Sequence, residues 1–345
     1  MACSCREPLC SYFSPSAQTL RCQIVDAFQS SPHGPSSRAG GVGPSEQEPE
    51  PEGGEEAGVF PLMLLGPHGA AADSFPVAAH GFAELGQVMR RRPIDTLLII
   101  GNNHRQPGVA LSDARWQTPL GTLEPEPELI AQLAAGASLA VRNADHSREH
   151  SIENQLPLLQ HLAALTPSAP QPRLVALSVG YRAFGSAEEA AELAKAIGSV
   201  LMSSEGRASP WAATTAIIAT TDYTHAGPGY RELPPGEEPA GGWASAAGQE
   251  ALIGYAKARD APVLEAITGG GGASAVVAAG KATSMCGLWS AALAVELSSV
   301  LGLGVRRLLK YAVSAEVSPH PSGCVTGFAV RPSCAALRLR WHARG

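Results

Sequence analysis

Thr96-Leu97-Leu98-Ile99-Ile100-Gly101-Asn102-Asn103-His104 is a β-branched and apolar run that passes into a short polar loop and ends on a histidine. An apolar run of this length without polar alternation reads as a strand buried on both faces. The same arrangement recurs twice. Val59–Leu65 leads into Gly66-Pro67-His68-Gly69, and Ala216–Ala219 leads into Thr220-Thr221-Asp222-Tyr223-Thr224-His225. Leu174–Val179, Tyr311–Val313 and Thr326–Val330 read as further strands, with helical stretches at Pro76–Arg92, Glu126–Ala135, Ala187–Met202, Ala244–Arg259 and Gly287–Leu301. This alternation predicts an α/β fold: a central, mainly parallel sheet flanked by helices on both faces. Open sheets of that kind bind ligands in the crevice at the carboxyl ends of their strands. Three strands that each deliver a histidine to that edge therefore predict one shared site.

Two imidazoles and one anionic donor, with positions left open, form the ligand pattern of redox-active non-haem iron. Asp222 is one candidate for the third donor and Cys286 is the other. Cys286 lies in Ser284-Met285-Cys286-Gly287, directly before a helix whose positive end is expected to lower the thiol pKa. A thiolate there would suit copper(I), iron or zinc, and the same thiolate with His225 as base would suit a hydrolase. His146-Ser147-Arg148-Glu149-His150 matches a zinc-protease signature. That signature needs one continuous helix, whereas Asn143 and Asp145 favour turns and Pro157 disfavours helix at Leu156, so the protease reading is set aside. Gly269–Gly272 reads as a flexible glycine run, and no P-loop or nucleophile elbow is present.

Composition narrows the function classes. The formal charge is −6, and Glu46, Glu48, Glu50, Glu52, Glu55 and Glu56 account for all of it, since −6 + 6 = 0 for the remainder. A neutral body carries no electrostatic footprint for nucleic acid. No apolar run reaches the roughly 18–20 residues of a membrane span. The first 20 residues hold no apolar signal core, so the 7 cysteines are expected reduced and the protein cytoplasmic.

Six ordered blocks resemble the Memo family, whose fold relates it to the class III extradiol ring-cleaving dioxygenases. They are Cys10–Pro15, Pro67-His68 with Pro76-Val77-Ala78-Ala79, Gly101–His104, Glu149–Pro157, Asp222–His225, and Cys286-Gly287. Glu149-His150-Ser151-Ile152-Glu153-Asn154-Gln155-Leu156-Pro157 is the most specific. The resemblance implies one iron or copper ion per chain, held by His68, His104 and Cys286. It further implies His225 as acid–base group with Asp222 beside it, and His150 and Glu153 as residues that orient the ligands. Implied activities are non-haem oxidoreductase or dioxygenase-like chemistry on oxygen or a small molecule. A signalling adaptor that binds phosphotyrosine-like peptides in the same pocket is the rival reading. Two departures stand out: the tyrosine that follows Pro-His-Ala-Gly in the family is missing from Gly69–Asp73, and Asn102 stands where the family has proline.

The expected layout is residues 1–29 as the N-terminal part of the domain, 30–58 as a disordered acidic insert, 59–331 as the body and 332–345 as a tail. The insert has hardly any apolar side chain with which to offset its ordering entropy. Brief protease treatment should therefore cut within residues 30–58 and leave the melting temperature of the clipped protein unchanged. A drop of several degrees would show that the segment docks on the body.

Overall fold

The computed structural model describes residues 17–30, Pro35, 62–165, 171–204, 207–317 and 323–334. The Cys10–Pro15 block, nearly all of the 30–58 insert, the first residues of the Val59–Leu65 run and most of the 332–345 tail lie outside them. Four all-apolar runs form adjacent parallel strands in the order Met63–Gly66, Thr215–Thr220, Thr96–Asn103, Arg173–Gly180. Their register sets Leu64, Ile218, Ile99 and Ala176 in one row and Leu65, Ala219, Ile100 and Leu177 in the next. Because side chains alternate across a sheet, these rows enter opposite layers.

Leu65, Ile100, Leu177 and Ala219 pack under the helices Pro127–Gly136, Ala187–Met202, Gly272–Gly280 and Leu288–Val300, joined by Val263 and Ile267 of Ala246–Thr268. Leu64, Ile99, Ala176 and Ile218 pack on the other side against Ala17–Val25, Ala71–Arg91 and Leu156–Ala164. Both faces are therefore covered, which is why these strands carry no polar alternation. None of the described helices is long and apolar enough to cross a membrane.

The centre of the sheet is parallel, as expected, and antiparallel strands flank it, so the sheet as a whole is mixed. Val325–Cys334 runs antiparallel beside Met63–Gly66 and also pairs antiparallel with Lys310–Val313 and His225–Ala226. At the other side Val109–Ser112 lies antiparallel to Arg173–Gly180. Antiparallel neighbours need no crossover helix between them. Three local readings also change. A helix begins at Leu156, because Pro157 occupies its first turn, where a missing N–H costs nothing. The last predicted turn of Ala244–Arg259 extends through Pro262 to Thr268, with Val263 and Ile267 buried. Gly269–Gly272 forms a defined turn with Gly270 and Gly272 at positive φ, leading into the Gly272–Gly280 helix.

Gly101 shows how tightly the carboxyl edge is packed. A Cβ there would lie 2.4 Å from Ile152 Cγ1 and 2.6 Å from Ser151 Oγ, so the turn carrying the Glu149 block rests directly on the strand. Gly101→Ala should cost about 1–3 kcal/mol in denaturant unfolding, as overpacked core positions do. An unchanged midpoint would mean that the turn is free to move away.

Candidate metal centre

His68 leaves the end of Met63–Gly66 and is 1% exposed. Its backbone N–H donates to Asp222 Oδ1 at 2.8 Å, and its Nδ1 lies 3.0 Å from Thr220 Oγ1. The loop is held from the other side: Asn154 Nδ2 donates to the His68 carbonyl at 2.6 Å, and Gln155 Nε2 donates to the Pro67 carbonyl at 3.0 Å. With Nδ1 engaged, Nε2 faces Cys286 Sγ at 3.2 Å. Burial, helped by the neighbouring His104, holds the imidazole pKa well below its ordinary value. A neutral ring with a free Nε2 lone pair is the form that binds a metal.

His104 is fixed by Glu149. The carboxylate accepts the His104 backbone N–H at 2.7 Å and the ring Nδ1–H at 3.0 Å, and also the backbone N–H groups of His150 and Ser151 at 2.8 Å each. Burial works to raise the Glu149 pKa, but the hydrogen bond from the His104 ring leads a set of contacts that bring it down to about 2. Nothing in the sequence pattern marks Glu149 as this anchor. His104, Glu149 and His150 stand close enough to resemble a metal group of their own. The Glu149 oxygens are already occupied by these donors, so the carboxylate serves as an anchor. His150 stacks on His104 with ring centroids 4.6 Å apart and planes 12° apart. Burial, then the His68 ring, push its pKa down to about 3, which keeps it neutral at neutral pH.

Cys286 enters from the start of the Leu288–Val300 helix, its backbone N–H donating to the Asp222 carbonyl at 3.2 Å. The expected lowering of the thiol pKa is not found. Burial, then the Asp222 carboxylate, push it well above the ordinary value. A nearby cation would be required to hold the sulfur as thiolate, and this weakens the hydrolase reading. Asp222 itself is buried, which raises its carboxyl pKa. Donor atoms of His68, His104 and Cys286 all lie within 4.8 Å of one another, as do those of Asp222, His225 and Cys286. Donors sharing one tetrahedral ion stand roughly 3.6 Å apart for bond lengths of about 2.0–2.3 Å, so the first trio has the spacing and chemistry for a single ion.

His225 follows Thr215–Thr220, as its position in the sequence implied. Its backbone N–H donates to Ser284 Oγ at 2.9 Å, and Nδ1 lies 3.1 Å from the Ser284 carbonyl. A carbonyl accepts only, so Nδ1 carries a hydrogen, and in the neutral ring Nε2 is then the nitrogen with the lone pair. Glu153 is buried at the start of the turn Glu153–Gln155, while its neighbours Asn154 and Gln155 make the contacts to the His68 loop. His146 is buried apart from this group: its Nε2 lies 3.2 Å from the Ala110 carbonyl and its ring sits edge-on to Trp116. His146 ends a 3-10 turn at Asn143–His146 and His150 lies beyond it, so the protease motif is not helical.

A cavity of about 390 Å³ opens over these residues, with His104, His150, Asp222 and His225 in its wall. Tyr230, Cys324, Thr326 and Phe328 also line it, and no sequence motif marks them as site residues. Tyr230 stands edge-on to His225 at 5.0 Å between centroids. Aromatic lining thus arrives from residues 230 and 328, although Gly69–Asp73 carries no tyrosine. Gly69 packs under the second of these rings, where a Cβ would meet Phe328 at 2.8 Å.

Comparison with known proteins matches the family model described as Memo-like protein over residues 45–330. This chain belongs to the Memo family. A MEMO1 family protein of Methanopyrus kandleri is 29% identical over 271 residues, covering 77% of this chain and 81% of the relative. One from Methanothermobacter thermautotrophicus is 29% identical over 272 residues, covering 77% and 82%. A shorter match of 98 residues, 42% identical, joins it to a MEMO1 family protein of Methanococcoides burtonii, covering 28% of this chain and 34% of the relative.

In this Memo-family chain the folded-state pKa of Glu149, about 2, lies below its ordinary value of 4.5. The carboxylate therefore favours the fold above pH 4.5, and that contribution fades as pH falls from there towards about 2. Glu149→Gln should destabilise metal-free protein by about 2 kcal/mol or more near pH 7, the scale of lost charge-assisted hydrogen bonds. The gap between variant and wild type should narrow as the pH of the unfolding experiment is lowered through that window. A pH-independent gap would mean that the loss is one of shape alone.

Proposed function

We propose that this Memo-family chain is a metal-dependent redox protein that holds one iron or copper ion through His68, His104 and Cys286. The supporting observation is the way both imidazoles are set. Thr220 engages Nδ1 of His68, Glu149 engages Nδ1 of His104, and Nε2 of His68 meets the Cys286 sulfur at 3.2 Å. A polar partner on the far nitrogen of a metal-binding histidine orients the ring and raises its basicity. Such an ion, when bound, supplies one-electron chemistry and sites for oxygen or a small molecule.

The chain's own residues divide the remaining work. Glu149 and Thr220 orient the rings, and Asp222 holds the His68 loop through its backbone N–H. His150 keeps a neutral face against His104. With Nδ1–H held by Ser284, His225 Nε2 is the atom that takes a proton from a substrate in the cavity and returns it. Tyr230 and Phe328 give that cavity an apolar wall beside its polar groups.

Three measurements test this. His68→Ala, His104→Ala and Cys286→Ala should each strip most of the metal from protein purified without air; full occupancy in Cys286→Ala would return Asp222 as third ligand. His225→Ala should keep the metal and lose about 10²–10⁴-fold in oxygen- or substrate-dependent turnover, the usual weight of a general acid–base group. Metal lost together with turnover would make His225 a ligand. Turnover retained would make it structural, and phosphotyrosine-like peptide binding indifferent to chelation would favour the adaptor reading.

A further inference from the structure

Beside the metal centre lies a second cavity of about 390 Å³, bounded by Arg105, Gln106, Asp145, Ser147 and Arg148. Two chain segments build it, and both are fixed. The side chain of Asn103, 1% exposed, accepts from the backbone N–H groups of Arg105 and Gln106 at 3.0 and 2.8 Å and donates to the Asp145 carbonyl at 2.8 Å. Arg105 Nε donates to the Arg148 carbonyl at 3.2 Å, tying the segments together again. Gly180 backs the first one so closely that a Cβ there would lie 2.1 Å from the Gln106 carbonyl oxygen.

The charges in this cavity do not cancel. Its carboxylate, Asp145, is already paired with Arg142 Nε at 2.7 Å. The remaining nitrogens of Arg105 and the whole Arg148 guanidinium make no hydrogen bond or ion pair among the described residues. Two guanidinium groups on a braced framework match the oxygens of a phosphoryl or carboxylate group, which the planar fork binds in pairs. Prior fixing of the loops lowers the ordering cost of binding. Arg105 directly follows His104, and Arg148 directly precedes Glu149, so the cavity borders the metal centre through the chain itself.

We infer that the Arg105–Arg148 cavity is an oxyanion subsite that takes the phosphoryl or carboxylate group of a ligand lying alongside His104. It uses no metal donor, so its failure and that of the metal reading are separate outcomes. The test is calorimetric titration of inorganic phosphate and of acetate into the full chain at low ionic strength, before and after chelation. Arg105→Gln and Arg148→Gln should each weaken phosphate binding about 10-fold or more, the weight of one charge-assisted contact, with metal content unchanged in both and melting temperature unchanged in Arg148→Gln, whose side chain braces nothing. Acetate that competes with phosphate would assign the site to carboxylates as well; phosphate binding without acetate binding would assign it to phosphoryl groups. Absence of binding by both anions up to tens of millimolar would overturn the inference. So would phosphate binding indifferent to both substitutions, or phosphate binding abolished by chelation, which would put the anion on the metal.

Discussion

Glu149 accepts two hydrogens from His104, one from the backbone and one from the ring, and one each from the backbones of His150 and Ser151. A buried carboxylate survives only when its charge is met by donors in this way. Here the requirement does structural work in both directions. The donors hold the charge, and the charge holds the strand end at Asn103 against the turn that begins at Glu149. Two residues of that turn, Asn154 and Gln155, reach across to the carbonyls of His68 and Pro67. One short segment thus holds the His104 ring and the His68 loop together, although the strands that carry them are not neighbours in the sheet.

The parallel core explains why the site lies where it does. Met63–Gly66, Thr215–Thr220 and Thr96–Asn103 run in one direction, so their carboxyl ends share an edge and their following loops share a crevice. The antiparallel strand Val325–Cys334 then contributes what a purely parallel sheet would lack. It brings Thr326 and Phe328 to the cavity, and its pairing with His225–Ala226 secures the loop of the acid–base candidate. Asp260, buried on the Ala246–Thr268 helix, supports the same loop by accepting from the Thr224 backbone at 2.9 Å and from the Tyr311 hydroxyl at 2.7 Å.

Cys286 illustrates a contest between two effects of different size. A helix start stabilises a nearby anion by about 0.3–1 kcal/mol and at most about 2. Burial of an unpaired charge shifts a pKa by up to about 3–5 units, several times more. The carboxylate of Asp222 adds to the larger effect. Packing therefore wins over the dipole, and the sulfur is better suited to a cation-held donor than to a nucleophile.

From the sequence by itself came the strands, because burial on both faces demands apolar runs such as Thr96–Ile100 that no surface segment would carry. It also determined that His68, His104 and His225 reach one edge, since each lies a few residues past a strand of the same parallel set. Local chemistry is enough for such statements. The anchor on His104 was not legible, because Glu149 lies 45 residues away and is identified only by a hydrogen bond across the fold. Tyr230 and Phe328 stayed hidden for the same reason, as did the reversed direction of Val325–Cys334, which nothing in its own apolar pattern specifies. His146 shows the converse: it matched a metal motif in one dimension, yet its ring is bound to a strand carbonyl in three. Residue type and period fix which side chains are buried and where strands end; which of them meet is decided by the order and direction in which the strands assemble.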